Sequence, residues 1–237
     1  MSNIRLFHPE NITENTTSLL SKEHTHYVVN VMRLKRGFNL NFFNKNGEWS
    51  SEIILLDRDR VEVKFLNKIK EPINSLNIEL AICLVKKNPM ETILQKATEL
   101  GVSKITPIIS ERTEVKELNL ERAKKIIIEA TEQSNQLTPP QISKTTNLKD
   151  FLKDLDSSTR LLFADVNSKY KLETEDIKKR QSVSVLVGPE GDFSPREREQ
   201  ILTLSNLTSF TLSRNILRTD TAVISAISLV NFMHNDH

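Results

Sequence analysis

Two short segments contain glycines or arginines, residue types that often bind ligands. Each segment lies between a predicted strand and a predicted helix, where a ligand-binding loop is expected. The first, Gly188-Pro-Glu-Gly191-Asp192, contains two of the five glycines and lies between a strand pattern and a helix pattern. Glycines at both ends allow the backbone to approach a ligand closely, while Pro189 removes a donor and stiffens the turn. The ordinary alternative is a tight strand-to-helix turn without a ligand. The glycine spacing of this first segment matches neither a dinucleotide-binding fingerprint nor a phosphate-binding loop.

The second segment covers residues 212–222 and reads LSRNILRTDTA. It leaves a predicted strand and enters the last predicted helix, with Arg214 and Arg218 at the entrance. A helix dipole disfavours cations at this end, so we expect the two arginines to hold a ligand or a carboxylate. The alternative is a purely structural ion pair with Asp220 or Glu190.

The elements around these segments alternate between strand and helix. Apolar runs predict strands at 78–85, 105–109, 161–166, 183–187 and 207–212. Helical patterns lie between or after these strands, at 120–133, 148–155, 194–205 and 219–233. A further helix is predicted to begin at Asn88-Pro89 and to stop at Gly101. This alternation predicts an α/β unit with a mostly parallel sheet. Ligands bind beyond the carboxyl ends of such strands, which is where both segments lie.

The N-terminal part has a different pattern. Short alternating runs at 38–43, 49–56 and 60–65 predict an antiparallel β unit, with Asn46-Gly47 supplying a tight hairpin turn. The polar stretch from Asn67 to Asn77 is the best linker candidate. We therefore predict two domains, residues 1–71 and residues 72–237.

Composition narrows the class of protein. No run of about 18 apolar residues occurs, and the N-terminus lacks a signal-peptide pattern, so we expect a cytoplasmic protein. The single cysteine, Cys83, is expected to be a small buried apolar residue.

A net charge of +2 does not indicate nucleic-acid binding, although residues 22–36 are locally basic. Such a run is ordinarily a solvated face. His24 and His26 have no cysteine partner, and we predict no metal.

The two segments resemble the signature loops of the RsmE family of 16S rRNA uracil-N3 methyltransferases, in the SPOUT superfamily. Further matching stretches occur in the same order along the chain. They are Arg5-Leu-Phe7, HYVVNVMRLKRG at 26–37, QKATELG at 95–101, Glu111-Arg-Thr113 and EATEQS at 129–134. Two positions depart from the family pattern: Gln136 replaces a usual arginine, and Ser213 replaces a usual glycine.

The resemblance implies a PUA-like RNA-binding β-barrel followed by a SPOUT methyltransferase domain with a C-terminal trefoil knot. It also implies a homodimer that uses S-adenosylmethionine to methylate ribosomal RNA within the small subunit. Cofactor contacts carried over from the family fall on Gly188, Pro189, Glu190, Gly191, Leu212, Ser213, Asn215, Ile216, Leu217, Arg218, Thr219, Thr221 and Ala222. RNA contacts are expected at Arg5, His26, Arg33, Arg36, Lys86 and Arg112.

For the chemistry, we assign Arg218 to stabilising charge on a uracil carbonyl oxygen as N3 loses its proton. Glu190 is the second candidate, as a base or an orienting group. Two other functions stay open at this point. One is a non-catalytic RNA-binding or ribosome-assembly factor, and the other is a SPOUT methyltransferase that acts on another RNA position.

Overall fold

A computed structural model describes residues 4–72, 76–177 and 182–235. The chain divides into two compact units. The first comprises Met1–Asn74 together with Thr131–Thr138, and the second comprises Ser75–Ala130 together with Pro139–His237.

The first unit is built on a five-stranded sheet. Its strands are β1 (Arg5–Phe7), β2 (Thr17–Leu19), β3 (Asn39–Asn44), β4 (Gly47–Leu56) and β5 (Val61–Lys70), in the order β1-β3-β4-β5-β2. The pair β1–β3 is parallel and the other pairs are antiparallel. Between β2 and β3 lie a short helix, α1 (Lys22–His26), and a π-helical turn (Tyr27–Val31). The three central strands were predicted; β1, β2 and the helical segment were not.

The hairpin between β3 and β4 turns at residues 45 and 46, because Asn44 pairs with Gly47. Gly47 has a φ of +140°, and a Cβ at this position would lie 2.5 Å from the carbonyl oxygen of Lys70. Glycine is therefore required by both the backbone angle and the close approach of β5.

A buried carboxylate organises the edge of this sheet. Glu48, 4% exposed, accepts hydrogen bonds from Arg5 Nε (3.0 Å) and Asn41 Nδ2 (2.8 Å). The rest of the Arg5 guanidinium donates to the carbonyl oxygens of Glu132 and Gln136, at 2.9 and 3.0 Å. These bonds satisfy carbonyls at and just beyond a helix end, which otherwise lack partners. Arg5 therefore has folding contacts within the unit, and its contact with RNA stays a prediction.

The second unit is built on a parallel sheet. Its strands are β6 (Asn77–Cys83), β7 (Lys104–Ile109), β8 (Gln141–Ile142), β9 (Thr146–Asn147), β10 (Arg160–Ala164), β11 (Ser182–Val187) and β12 (Leu207–Phe210). The order is β12-β10-β11-β6-β7-β8, and β9 also pairs with β7. The helices are α2 (Lys87–Glu99), α3 (Leu120–Gln133), α4 (Leu148–Asp154), α5 (Thr174–Ile177), α6 (Pro195–Leu202) and α7 (Thr219–Asn235). The predicted parallel α/β architecture is confirmed.

Alternate residues of the strands enter two different cores. In β6, Ile78, Leu80 and Ile82 pack into the cluster formed with α2, α3 and α7. Ala81 and Cys83 pack into the opposite cluster with α4 and α6. The sheet is therefore covered on both faces, which explains its continuous apolar strands.

Local signals set the helix ends with one exception. Ser194 and Glu197 form the predicted capping box of α6, and Gly101, with a φ of +82°, follows the end of α2. The start of α2 was misplaced, because the cap position is Lys86 and not Asn88. Within the described ranges, no helix combines the length and apolarity needed to cross a membrane.

We predict that Glu48→Gln lowers the free energy of unfolding of the first unit by about 3 kcal/mol, because it leaves the Arg5 charge buried without a counter-charge. The single tryptophan, Trp49, is buried in β4, so its fluorescence during urea unfolding reports this unit. Glu52→Gln on the same strand is the matched control and should change stability by less than about 0.5 kcal/mol. Equal midpoints for both variants would show that the Glu48 carboxylate is not needed.

Candidate functional site

Parallel pairing brings five loops to one edge of the second unit. The strands β6, β7, β10, β11 and β12 run in the same direction and end at Cys83, Ile109, Ala164, Val187 and Phe210. The two predicted segments follow β11 and β12, which flank β10 on either side. Neighbouring strands lie about 4.8 Å apart, so the first residues of the two segments are separated by about 10 Å.

The chain path brings the second segment back toward the first. After β12, residues 211–218 lead into α7, and α7 packs against β11 and α2. Because β10 lies between β12 and β11, this loop passes the end of β10. It is attached to the loop after β10 by the Thr211 N–H, which donates to the Tyr170 carbonyl at 2.8 Å. The two segments thus border one region at the sheet edge.

The turn after β11 is compact. The Asp192 N–H donates to the Pro189 carbonyl at 3.0 Å, and Asp192 adopts a φ of +59°. A Cβ on Gly188 would lie 3.1 Å from the ring of Phe193, which is tighter than most packing contacts. A side chain at this position would therefore require the Phe193 ring to shift by a few tenths of an ångström. Pro189 is buried, while Glu190 and Gly191 are exposed.

A neighbouring loop fastens this turn from the side. Arg112 Nη1 donates to the Gly191 carbonyl at 3.0 Å, and its side chain lies beside the Cα of Gly191. The Glu197 carboxylate joins the same two loops, accepting from the Glu111 N–H at 2.8 Å and from the Ser194 N–H at 3.0 Å. Arg112 is exposed and holds the turn through this contact, and its predicted contact with RNA stays a prediction.

A buried carboxylate holds the loop after β10. Asp165, 1% exposed, accepts hydrogen bonds from Arg198 Nη2 (2.8 Å), Ser209 Oγ (3.0 Å) and the Asn167 N–H (2.9 Å). Burial by itself would raise the pKa of Asp165, but these hydrogen bonds outweigh it and the pKa lies below its ordinary value. The carboxylate therefore stays ionised at neutral pH and links α6, β10 and β12.

Sequence reasoning missed this link. Asp165 directly follows a buried strand, so the rule that drew attention to the loops after β11 and β12 also applied to it. Its partner Arg198 lies on α6, and nothing in the sequence pairs the two positions.

The segment after β12 exposes apolar and backbone groups together. Ile216 is 90% exposed, and Leu212 and Leu217 are partly buried. In the described chain, the backbone N–H groups of residues 212–218 have one recorded partner, the Ser213 hydroxyl, which accepts from Asn215 at 3.0 Å. Backbone N–H donors without partners, beside exposed aliphatic side chains, are groups that can bind a small-molecule ligand.

Neither arginine of this segment makes an ion pair within residues 4–72, 76–177 and 182–235. Arg214 and Arg218 are both exposed, and the expected structural alternative, a pair with Asp220 or Glu190, does not occur in those ranges. The Arg218 carbonyl accepts the Ala222 N–H at 2.8 Å, so Arg218 stands at the start of α7. Thr219 is buried, Thr221 is exposed and Ala222 is partly buried.

The remaining residues predicted to contact RNA are exposed. Lys86 precedes α2 in the second unit. In the first unit, His26 Nδ1 lies 3.0 Å from Asn30 Nδ2, and Arg33 has a φ of +51°. Arg36 lies in the turn before β3. Their RNA contacts stay predictions.

A separate apolar cavity of about 470 Å³ lies beside α2 and α3. Its walls include Leu84, Met90, Leu94, Val115 and Ile126, and none of the predicted cofactor residues lines it.

Cys83 takes no part in the site chemistry. It is fully buried, and burial raises the pKa of its thiol to about 12, so it is a neutral apolar residue, as predicted.

Known proteins match both units. Residues 72–231 match the model of an RNA methyltransferase domain, and residues 20–66 match that of an RNA methyltransferase PUA domain. The ribosomal RNA small subunit methyltransferase E of Rickettsia conorii is 33% identical over 97% of this chain and 95% of its own length. The protein of the same name from Aquifex aeolicus is 30% identical over 97% of this chain and 100% of its own.

Solved structures agree with these relatives. A ribosomal RNA small subunit methyltransferase E from Neisseria gonorrhoeae, bound to S-adenosyl methionine, superposes with a TM-score of 0.91. It is 30% identical, and the match covers 98% of both chains. A methyltransferase from Legionella pneumophila with bound cofactor gives a TM-score of 0.84 at 29% identity over 97% of both chains. The predicted resemblance is confirmed: this chain belongs to the ribosomal RNA small subunit methyltransferase E family of RNA methyltransferases.

Proposed function

We propose that this protein transfers the methyl group of S-adenosylmethionine to N3 of one uridine in small-subunit ribosomal RNA. One observation carries the assignment: the loops after β11 and β12 border the same region of the sheet edge, and most backbone N–H groups of residues 212–218 have no partner among the described residues. The family relationship names the substrate class, and the solved relatives with bound cofactor support the choice of methyl donor.

The residues at this edge fit the cofactor. The unpaired backbone groups of residues 212–218 suit the edge of an adenine ring, and Ile216 and Leu217 suit its faces. Glu190 offers an exposed carboxylate to the positively charged methionine portion. A Cβ at Gly191 would lie 3.7 Å from the Arg112 side chain, an ordinary packing distance. The departure at Ser213 does not close the loop, because Ser213 is exposed and its hydroxyl accepts from within the loop.

The bound cofactor supplies an electrophilic methyl group on a sulfonium, so the chain must provide a nucleophile in the right state. Uracil N3 becomes nucleophilic when it loses its proton, which places negative charge on the neighbouring carbonyl oxygens. Arg218, exposed and without a carboxylate partner in the described chain, stabilises that charge by donating hydrogen bonds to one of those oxygens. Glu190 is the candidate acceptor of the N3 proton.

The target uridine must be unpaired, because Watson–Crick pairing occupies uracil N3.

We further propose a homodimer acting in the cytoplasm, where its RNA substrate lies. The knot expected from the resemblance remains a prediction. The return of the chain from β12 past the end of β10 to α7 on β11 is the path that supports it.

The proposal is tested by combining cofactor binding with mapping of ribosomal RNA. Calorimetry should detect one S-adenosylmethionine site per chain, and RNA from cells lacking the protein should have lost one methyl group, on a small-subunit uridine. No binding at high micromolar cofactor would favour the non-catalytic RNA-binding alternative. A methyl lost from a ribose or from another base would assign a different RNA position.

We predict that Arg218→Ala lowers the rate of methyl transfer by about 10²- to 10³-fold, the usual loss when one donor to a developing oxyanion is removed. Cofactor affinity should change little, because the backbone of this residue is retained. Single-turnover transfer of labelled methyl to RNA measures the rate. Arg214→Ala, an exposed arginine of the same loop, is the matched control. Full activity in Arg218→Ala would remove the residue from the chemistry.

We predict that Arg112→Ala weakens S-adenosylmethionine binding by about tenfold, because the Gly191 carbonyl loses its charged donor and the turn is no longer held. Calorimetry on the full chain measures the effect. Arg122→Ala removes an exposed arginine that pairs with Glu91 and should bind the cofactor as the parent does. If Arg112→Ala leaves the affinity for S-adenosylmethionine unchanged and reduces RNA binding instead, the result would favour the predicted contact of Arg112 with RNA.

A further inference from the structure

The loop after β10 lies between the two segments of the candidate site. Because β10 is flanked by β11 and β12, the chain that leaves it at Ala164 emerges between the turn at 188–192 and the loop at 211–218. The position of this loop therefore sets the space that a ligand finds between the two segments. Asp165, its first residue, is 1% exposed, so its side chain cannot itself contact a ligand held at the edge.

The Asp165 carboxylate joins its own loop to the end of β12. Its Oδ1 accepts the Asn167 N–H at 2.9 Å, which closes a turn directly after the strand. Its Oδ2 accepts the Ser209 hydroxyl at 3.0 Å, one residue before the end of β12. A further bond, from the Ser168 hydroxyl to the Ser209 carbonyl at 3.0 Å, makes the same connection. The loop after β10 and the start of the loop after β12 are therefore fixed to each other.

Arg198 extends this connection toward the turn after β11. It lies on α6, which begins just after that turn, and it donates to Asp165 from Nε at 3.1 Å and from Nη2 at 2.8 Å. The hydrogen bond with Asp165 raises the pKa of the Arg198 guanidinium, and the negative charge of Asp192, within the turn, adds to the effect. The pair of Asp165 and Arg198 thus acts on the loops that follow β10, β11 and β12.

We propose that Asp165 and Arg198 form a positioning pair for the cofactor: they hold these three loops at one spacing and so set the affinity for S-adenosylmethionine without contacting it. This inference rests on the proposed function, which places the methyl donor between the loops. Neither residue is among the predicted cofactor contacts. An arginine and a carboxylate joined by several hydrogen bonds suit the role, because such a pair fixes orientation as well as distance.

Cofactor calorimetry on the full chain tests the pair. Asp165→Asn keeps the shape of the side chain and removes its charge, so it should weaken S-adenosylmethionine binding by about tenfold, as expected for one lost charge-assisted hydrogen bond. Arg198→Met should weaken binding to a similar extent. The double variant should lose no more affinity than either single variant, because both substitutions break the same link.

Two milder variants keep the test available if Asp165→Asn does not fold. The Arg198 side chain is 31% exposed, so Arg198→Met and Arg198→Lys leave the buried carboxylate in place. Arg198→Lys keeps a cation beside Asp165 and should retain more of the cofactor affinity than Arg198→Met does. Equal losses in these two variants would show that the charge at this position is not what holds the loops.

Two further measurements separate positioning from a direct role. S-adenosylhomocysteine lacks the sulfonium charge, and Asp165→Asn should weaken its binding by the same factor as that of S-adenosylmethionine, because the pair acts through the loops. The single-turnover rate of methyl transfer at saturating cofactor should fall by less than about threefold in this variant, since the groups at the reacting atoms are unchanged.

Hydrogen exchange and a matched arginine separate positioning from a general loss of stability. In Asp165→Asn, the amides of residues 165–171 and 209–213 should exchange faster, while those of α2 keep the protection that they have in the parent. Arg160→Met is the control, because Arg160 also links β10 to β12, donating from Nε to the Thr208 hydroxyl at 2.8 Å, but from the first residue of β10. It should leave the cofactor affinity within about twofold of the parent.

The proposal is overturned if Asp165→Asn binds S-adenosylmethionine as tightly as the parent does, or loses no more affinity than Arg160→Met. A loss confined to S-adenosylmethionine, with S-adenosylhomocysteine bound as before, would also overturn it, since Asp165 would then act on the sulfonium charge. A parent protein that binds neither compound refutes the proposed function and the pair with it. A parent that binds both, with no change in Asp165→Asn and Arg198→Met, refutes the pair alone.

Discussion

Parallel hydrogen bonding among β6, β7, β10, β11 and β12 is the constraint on which the site depends. Parallel strands place all their carboxyl ends at one edge, so loops that are far apart in sequence become neighbours. The loops after β11 and β12 are separated only by β10, and the return of the chain to α7 carries the second loop past the end of that strand. The candidate site is therefore a consequence of strand order, since no single motif contains both loops.

Strand order alone would leave these loops free to move, and three polar contacts hold them. Arg112 and Glu197 join the loop after β7 to the turn after β11, and Asp165 joins β10, α6 and β12. Two of the three are carboxylates that are almost fully buried, where an acceptor without donors would be costly. Each has its donors, so the network favours one arrangement of the loops. This preorganisation suits a reaction that depends on positioning, because methyl transfer needs no covalent enzyme intermediate.

Seven arginines of this chain form two groups with different surroundings. Arg5, Arg112 and Arg198 donate to buried carboxylates or backbone carbonyls and hold loops or helix ends. Arg33, Arg36, Arg214 and Arg218 are exposed and have no such partners in the described chain. Two of the residues that sequence reasoning gave to RNA, Arg5 and Arg112, belong to the first group.

The sequence by itself determined the longer strands and helices, the parallel architecture and both loops of the candidate site, because hydrophobic periodicity, capping residues and glycine positions are local signals. It also led to the family, through motifs whose order extends over the chain. Only the tertiary structure decided which partners Arg5, Arg112 and Asp165 have, and that residues 131–138 belong with the first unit. The partners Gln136, Gly191 and Arg198 lie 33 to 131 residues away along the chain, and a hydrogen bond across such a separation leaves no periodic trace in the sequence.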